Sequence, residues 1–208
     1  MIEKRERGIL LFSKISSENN LYLKILTQND EIITGLCFGG ASKKKINIYQ
    51  IGYLLNVTIK NKNKNMPNSI SAELSRPFYY NIFNDKYKLQ CLLAVVSLLN
   101  ISIVEGQKIN GLFELSEEIF QILANKEKWI VDFFLYQLNL LKLIGYDIDF
   151  NKNTAKNYID LDTLQFEDFN TSTSIRFPHL LLNKNQTIDF NNASSFFKIF
   201  EIILQNHH

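Results

Sequence analysis

Cysteine is scarce in this chain: two residues among 208, Cys37 and Cys91, each inside an apolar segment. No C-x-x-C pair occurs, so a sequence-encoded zinc ribbon is excluded and buried free thiols are expected. Histidine is nearly as rare. Of three, His207 and His208 end the chain, and only His179 is internal, beside Pro178, where a structural or surface role is expected. No apolar run reaches the roughly 18 to 20 residues that a membrane span needs. The start, Met1 to Arg7, has no signal-peptide h-region, which points to a cytoplasmic protein without membrane contact. Two catalytic signatures are also missing, the G-x-S-x-G elbow and G-x-x-x-x-G-K-[ST]. Asp147 with Asp149, and Asp160 with Asp162, are carboxylate pairs of the kind a metal nuclease uses. In an Asn/Asp-rich segment they read instead as turn formers. The expectation is a non-enzyme with no cofactor and no bound metal.

What is present is an ordinary core-forming composition with a lopsided charge. The chain is 46% hydrophobic and 21% charged, with a net charge of +2. Residues 1–80 carry 12 Lys and Arg against 6 Asp and Glu, a net of +6, and residues 81–208 carry 11 against 15, a net of −4. A basic front and a neutral-to-acidic rear suggest a polyanion partner for the front. The cations concentrate at Gly39-Gly40-Ala41-Ser42-Lys43-Lys44-Lys45, where two glycines that permit tight backbone turns precede three adjacent lysines. Lys60, Lys62 and Lys64 form a second cluster, and Arg5, Arg7, Lys14 and Arg76 stand at strand ends. The two lysine clusters suit phosphate as mobile charges, with a solvated surface as the alternative reading, which for the strand-end cations is as good. Tyr22, Tyr49 and Tyr53 could stack on bases, with packing inside the fold the simpler role. A second function class is a protein-interaction module whose basic loop grips an acidic partner.

Hydrophobic periodicity divides the chain near residue 80. Strands are predicted at 7–15, 21–27, 31–38, 53–60 and 70–75, separated by polar or glycine-containing turns. Five strands without an intervening helix of standard length suggest an oligonucleotide-binding (OB) barrel. After Pro77, Asn84-Asp85 can cap a helix running to Asn100, and 112–123 and 129–144 read as two more. The last of these is apolar almost all round and is expected at the centre of a helical bundle. Residues 146–190 are expected to be irregular with short helices, and 193–204 to close the chain as a helix whose Phe196, Phe197 and Phe200 are core. The predicted class is α+β: an OB-like domain of five strands at 1–80, then an all-α helical domain at 81–208 with an irregular insert at about 146–190.

That order resembles the RecO family of bacterial recombination-repair mediators. Arg7-Gly8-Ile9-Leu10-Leu11 is similar to the family's first strand, and Ile25-Leu26-Thr27 to its second. Gly35 with Gly39 to Lys44 resembles the glycine and basic loop, and Tyr49-Gln50-Ile51-Gly52 stands where L-Q-P-G is common. Leu143-Ile144-Gly145-Tyr146-Asp147-Ile148-Asp149-Phe150 resembles the family's L-x-x-L-G-[YF]-G segment. Many members follow that segment with a four-cysteine zinc site. Here Asn151 to Asn157 holds no cysteine, which implies a metal-free version. The resemblance implies binding of single- and double-stranded DNA, annealing of complementary strands, and loading of RecA at gaps. Its implied partners are RecR and the C-terminal tail of single-stranded DNA-binding protein, with RecF left open. The candidate DNA contacts compatible with it are Lys43, Lys44, Lys45, Lys60, Lys62, Lys64, Arg7, Lys14 and Arg76, with Gly39 and Gly40 shaping the loop.

Overall fold

A computed structural model describes the chain except residues 1, 18, 62–65, 76–79, 147, 149–155, 180–188 and 208. It divides into two compact units, Met1–Glu127 and Lys128–His208. Strands give way to helices near residue 80, so the first unit holds the barrel and three helices.

The barrel is built from β1 (Ile2–Ser17), β2 (Asn20–Thr27), β3 (Ile32–Cys37), β4 (Leu54–Asn61) and β5 (Asn68–Leu74). It closes in the order β1-β2-β3-β5-β4, with β4 returning to β1. This is the OB-like arrangement expected from the sequence. β1 serves two neighbours: Ile2 to Ile9 pair with β4, and Gly8 to Ser17 with β2. A register shift between Leu10 and Phe12 lets it coil from one to the other. Period-two alternation decides which side chains go in. Leu21, Leu23 and Ile25 enter the interior with Leu10, Leu55, Val57 and Ile70.

The outer face of the barrel is only half open. Ile9 lies opposite Leu26, and Leu26 opposite Ile32, yet all three outward residues are at most 2% exposed. Their cover comes from α2 (Lys86–Ser102), with the short α1 (Tyr80–Phe83) before it, and from the segment leading to α3 (Leu112–Asn125). Asp85 caps α2, its carboxylate accepting from the N–H groups of Tyr87 and Lys88 at 2.9 and 3.1 Å. At the other end Asn100 Nδ2 donates to Leu11 O at 2.9 Å, while Lys24 Nζ donates to Asn100 O at 3.3 Å. The backbone of Ile109 donates to Asp30 O, and Glu31 forms a bridge with Lys108.

The second unit contains α4 (Ile130–Leu143), the strands β6 (Tyr158–Asp160), β7 (Phe166–Glu167) and β8 (Ser174–Arg176), and α5 (Phe190–His207). α4 is buried on several sides, as its apolar sequence predicts, and Phe134 meets Phe196 of α5 edge-on at 4.7 Å. On α5, Phe196 and Phe200 are core, whereas Phe197 is 43% exposed. Between these helices the described residues depart from expectation. In place of short helices they form a three-stranded sheet, β7-β6-β8. Strands of two and three residues offer too few positions for alternation to show.

Asp30 joins barrel and helix in the first unit. Its φ is +64°, and its carboxylate accepts from the N–H groups of Gly111 and Phe113 at 2.9 Å each. It therefore caps α3 from a turn 81 residues away, where Gly111 has no side chain to do so. Replacing Asp30 with Ala should lower unfolding free energy by about 1 to 2 kcal/mol, with Asn losing less because it tolerates positive φ. Urea denaturation checks this, and an unchanged midpoint for Asp30→Ala contradicts it.

Candidate nucleic-acid interface

The lysine-rich stretch is the connection between β3 and β4, and it is coiled, not loose. The N–H groups of Ser42, Lys45, Ile46, Ile48 and Tyr49 each bond to a carbonyl three or four residues earlier, and a 3-10 turn occupies Ile46–Ile48. Gly39 has a φ of +68°, a value L side chains rarely adopt. At Gly40 a Cβ would stand 2.7 Å from Cys37 Sγ, so the chain can cross the barrel end here only without a side chain. Beyond this crossing, Ala41, Ile48 and Tyr49 pack against the barrel core. The phenol of Tyr49 accepts the Cys37 thiol proton at 3.0 Å and the Ala72 N–H at 3.3 Å. Burial pushes both the thiol and the phenol up from their ordinary pKa values, so both are protonated at neutral pH.

Because the inner side of this coil plugs the barrel, Lys43, Lys44 and Lys45 are left on its outer side, all exposed. The coil is held to the β1–β2 turn by two bonds, Gly39 N–H to Asn20 Oδ1 at 3.0 Å and Ala41 N–H to Asn19 O at 2.9 Å. Lys14, opposite Tyr22 near the end of β1, belongs to this same barrel end and is also exposed. Among the described residues, none of these four lysines takes part in an ion pair. The site therefore brings Lys14 together with the coil.

The other cations are engaged. Lys60 Nζ lies 3.1 Å from Glu3 Oε2, and Arg5 is 3.1 Å from Glu3 Oε1. The bond from Lys60, followed by that from Arg5, holds the Glu3 carboxyl below its ordinary pKa. Arg7 pairs with Glu117 of α3 and lies over the Phe113 ring, 5.5 Å from its centroid. Its position is that of a structural clamp between barrel and helix. Lys62, Lys64 and Arg76 lie outside the described residues. A cleft of about 780 Å³ separates Lys45 from β1, β4 and β5, but Glu6 and Glu73 share its lining with Arg5 and Arg7. Its mixed charge does not favour an anion.

The aromatic candidates separate cleanly. Tyr49 is 5% exposed and Tyr53 meets Phe83 edge-on at 5.4 Å, so both are packing residues. Tyr22 is 36% exposed on the outer face, beside Phe12 at 39% and near Phe38 at 61%. Sequence reasoning did not single out Phe12 and Phe38. Alternation had already turned Tyr22 outward, but Phe12 ends the continuous run Ile9 to Phe12, which hides its side.

In the second unit, Asp160 is buried and accepts from the N–H groups of Asp162 and Thr163 and from the hydroxyls of Thr163 and Thr173. It is a turn former at the hub of the small sheet. Among the described residues no cluster of three or more His, Cys, Asp or Glu is placed to hold a metal ion. Asp147 and Asp149 lie outside the described residues. No described helix is long and apolar enough to cross a membrane.

The family model described as "Recombination protein O C terminal" matches residues 84–172, from the start of α2 through β7. A DNA repair protein RecO from Anaplasma marginale (strain Florida) is 24% identical over 156 residues, covering 75% of this chain. One from Ruegeria sp. (strain TM1040) is 25% identical over 151 residues, 73% of the chain. One from Orientia tsutsugamushi (strain Ikeda) is 23% identical over 193 residues, reaching 91% of the chain. The chain is thus similar to RecO proteins over most of its length, and to the C-terminal family model over its helical part. It spans 64% and 63% of the length of the Anaplasma and Ruegeria RecO relatives and 80% of the Orientia one.

The hub of the small sheet makes a testable pH prediction. The hydroxyl of Thr173, followed by the bonds from Thr163, lowers the Asp160 pKa from 3.8 to about 2. A carboxyl depressed on folding stabilises the fold above its unfolded pKa and loses that contribution as pH falls toward its folded one. The parent chain should therefore lose stability more steeply than Asp160→Asn between about pH 4 and 2. Acid titration of the two proteins checks this. Parallel curves contradict it.

Proposed function

We propose that this chain is a DNA-binding recombination mediator that works without chemistry of its own. In this reading the barrel of residues 1–80 binds single- and double-stranded DNA and brings complementary strands together. The protein acts in recombinational repair in the cytoplasm, with RecR and the C-terminal tail of single-stranded DNA-binding protein as partners, to help load RecA at gaps. The RecO relatives, each named as a DNA repair protein, support the repair role.

The observation that carries the reading is the barrel end at which Lys14, Lys43, Lys44 and Lys45 stand exposed and outside any ion pair among the described residues. Annealing requires cations that neutralise phosphates on two strands without holding either tightly. Lysine ammoniums on a rigid plug suit this, being strongly hydrated point charges. Arg7 and Lys60, which already hold carboxylates, would first have to give them up.

Salt dependence tests the reading. If the four exposed lysines each neutralise one phosphate, log affinity for single strands should fall against log salt with a slope near −2.8, at about 0.7 per contact. Replacing Lys43, Lys44 and Lys45 with Ala should flatten that slope by about 2 and weaken binding equally across sequences. No binding to an oligonucleotide at low salt contradicts the reading and favours an acidic protein as the target of the basic end.

A further inference from the structure

A helix that lies on a barrel normally turns charged residues toward solvent on its far side. α2 does not. Between Lys88 and Glu105 the sequence has no Asp, Glu, Lys or Arg. One face of this stretch, with Cys91, Leu92, Val95 and Leu99, is buried. At about 100° per residue the opposite face is formed by Gln90, Ala94, Ser97 and Ile101, with Tyr87 and Leu93 on its flanks. Tyr87 is 69% exposed, Leu93 42% and Ile101 62%, and Val104, just past the last turn, is 73% exposed.

The order of residues on this exposed face is symmetric about a point between Val95 and Val96. Ala94 and Ser97, both small, stand on either side of it. Gln90 and Ile101 follow at equal distances outward, then Tyr87 and Val104, then Lys86 and Glu105. A two-fold axis through that point lays two copies of α2 antiparallel, so that each of these pairs meets twice, as an isologous contact requires. Ala94 then faces Ser97 of the second copy, and the small side chains let the axes approach to the near end of the usual range of about 8 to 10 Å. Lys86 comes level with Glu105 of the second copy, so opposite charges close both ends. Among the described residues neither Lys86 nor Glu105 takes part in an ion pair.

This pattern discriminates between occupants. Nucleic acid and an acidic peptide both need cations along their path, and the face from Leu89 to Val104 has none. An unrelated apolar protein would gain nothing from the symmetry. We propose that the exposed face of α2 is a contact between two copies of this chain, packed antiparallel about a two-fold axis between Ala94 and Ser97. One face of a 17-residue helix, about 26 Å long, falls short of the roughly 1,000 Å² of a stable interface, so the dimer is weak and forms as concentration rises. Joined this way, two copies carry two basic barrel ends, one for each strand of a complementary pair. That consequence rests on the DNA-binding reading above; the dimer does not.

Sedimentation equilibrium of the full chain, from about 1 μM to several hundred μM, tests the contact and should show monomer giving way to dimer. Ala94→Glu and Ala94→Lys each place like charges beside the axis, and each should weaken self-association about tenfold or more. An equimolar mixture of the two should associate far better than either alone, because the axis then joins opposite charges. Ser97→Glu and Ser97→Lys supply the same comparison if an Ala94 variant loses the parental circular dichroism. A parent that stays monomeric throughout, variants that self-associate as the parent does, or a mixture no better than its components each overturns the two-fold contact. None of these outcomes depends on an oligonucleotide, so the dimer and the DNA-binding reading fail separately.

Discussion

The seam between β3 and β5 is the weak point of this barrel, and Tyr49 closes it. The two strands pair in parallel over only Gly35↔Asn68 and Leu36↔Ser69. Past that short ladder, the Tyr49 hydroxyl links Cys37 of β3 to Ala72 of β5 from inside the barrel. To deliver the ring there, the chain must turn at Gly39 and cross at Gly40 against the Cys37 sulfur. That path leaves one side of the coil facing the core and the other facing water. The outward position of Lys43, Lys44 and Lys45 is thus a consequence of how the barrel end is plugged, and the charges are presented on a fixed support.

The second constraint is the cover laid over the other half of the β1–β2–β3 face. In an OB-like barrel the face of strands 2 and 3 is the usual place for oligonucleotides. Here α2 and the segment before α3 take part of it, anchored through Asn100, Lys24 and Asp30. Burial of residues such as Leu92, Val95 and Leu99 on α2 is worth about 1.5 to 3 kcal/mol per side chain, so this cover is not readily given up. What remains open is the far half, where aromatics and lysines alternate beside the coil. Arg7 shows the same division of labour at the level of one residue, since its pairing with Glu117 and its contact with Phe113 tie α3 to β1.

Local signals carried most of the architecture. The alternation of Leu21, Leu23 and Ile25 placed β2 and its inward face, and Asn84-Asp85 marked the start of α2, where Asp85 is the cap. The nearly uniform apolarity of 129–144 foretold the buried α4. Features that depend on distant partners were not legible. Nothing near Arg7 announces Glu117, 110 residues away. Nor does the sequence around Asp30 disclose that it caps α3. The small sheet escaped because its strands are too short to show a period, and Asp160 looked like any turn aspartate until Thr173 was found beside it. For the candidate interface, the basic coil was visible as a charge run, whereas the exposure of Phe12 and Phe38 required the register of three strands.

The central claim is that the end of the barrel formed by the coil and the open half of β1–β2–β3 is the nucleic-acid surface. Amide hydrogen exchange, with and without a saturating single-stranded oligonucleotide at low salt, tests it most directly. The account predicts added protection in peptides covering 12–24 and 36–46, with little change along the outer faces of β4 and β5 around Thr58 and Ser71. Protection confined to β4 and β5, or to Lys128–His208, would contradict it.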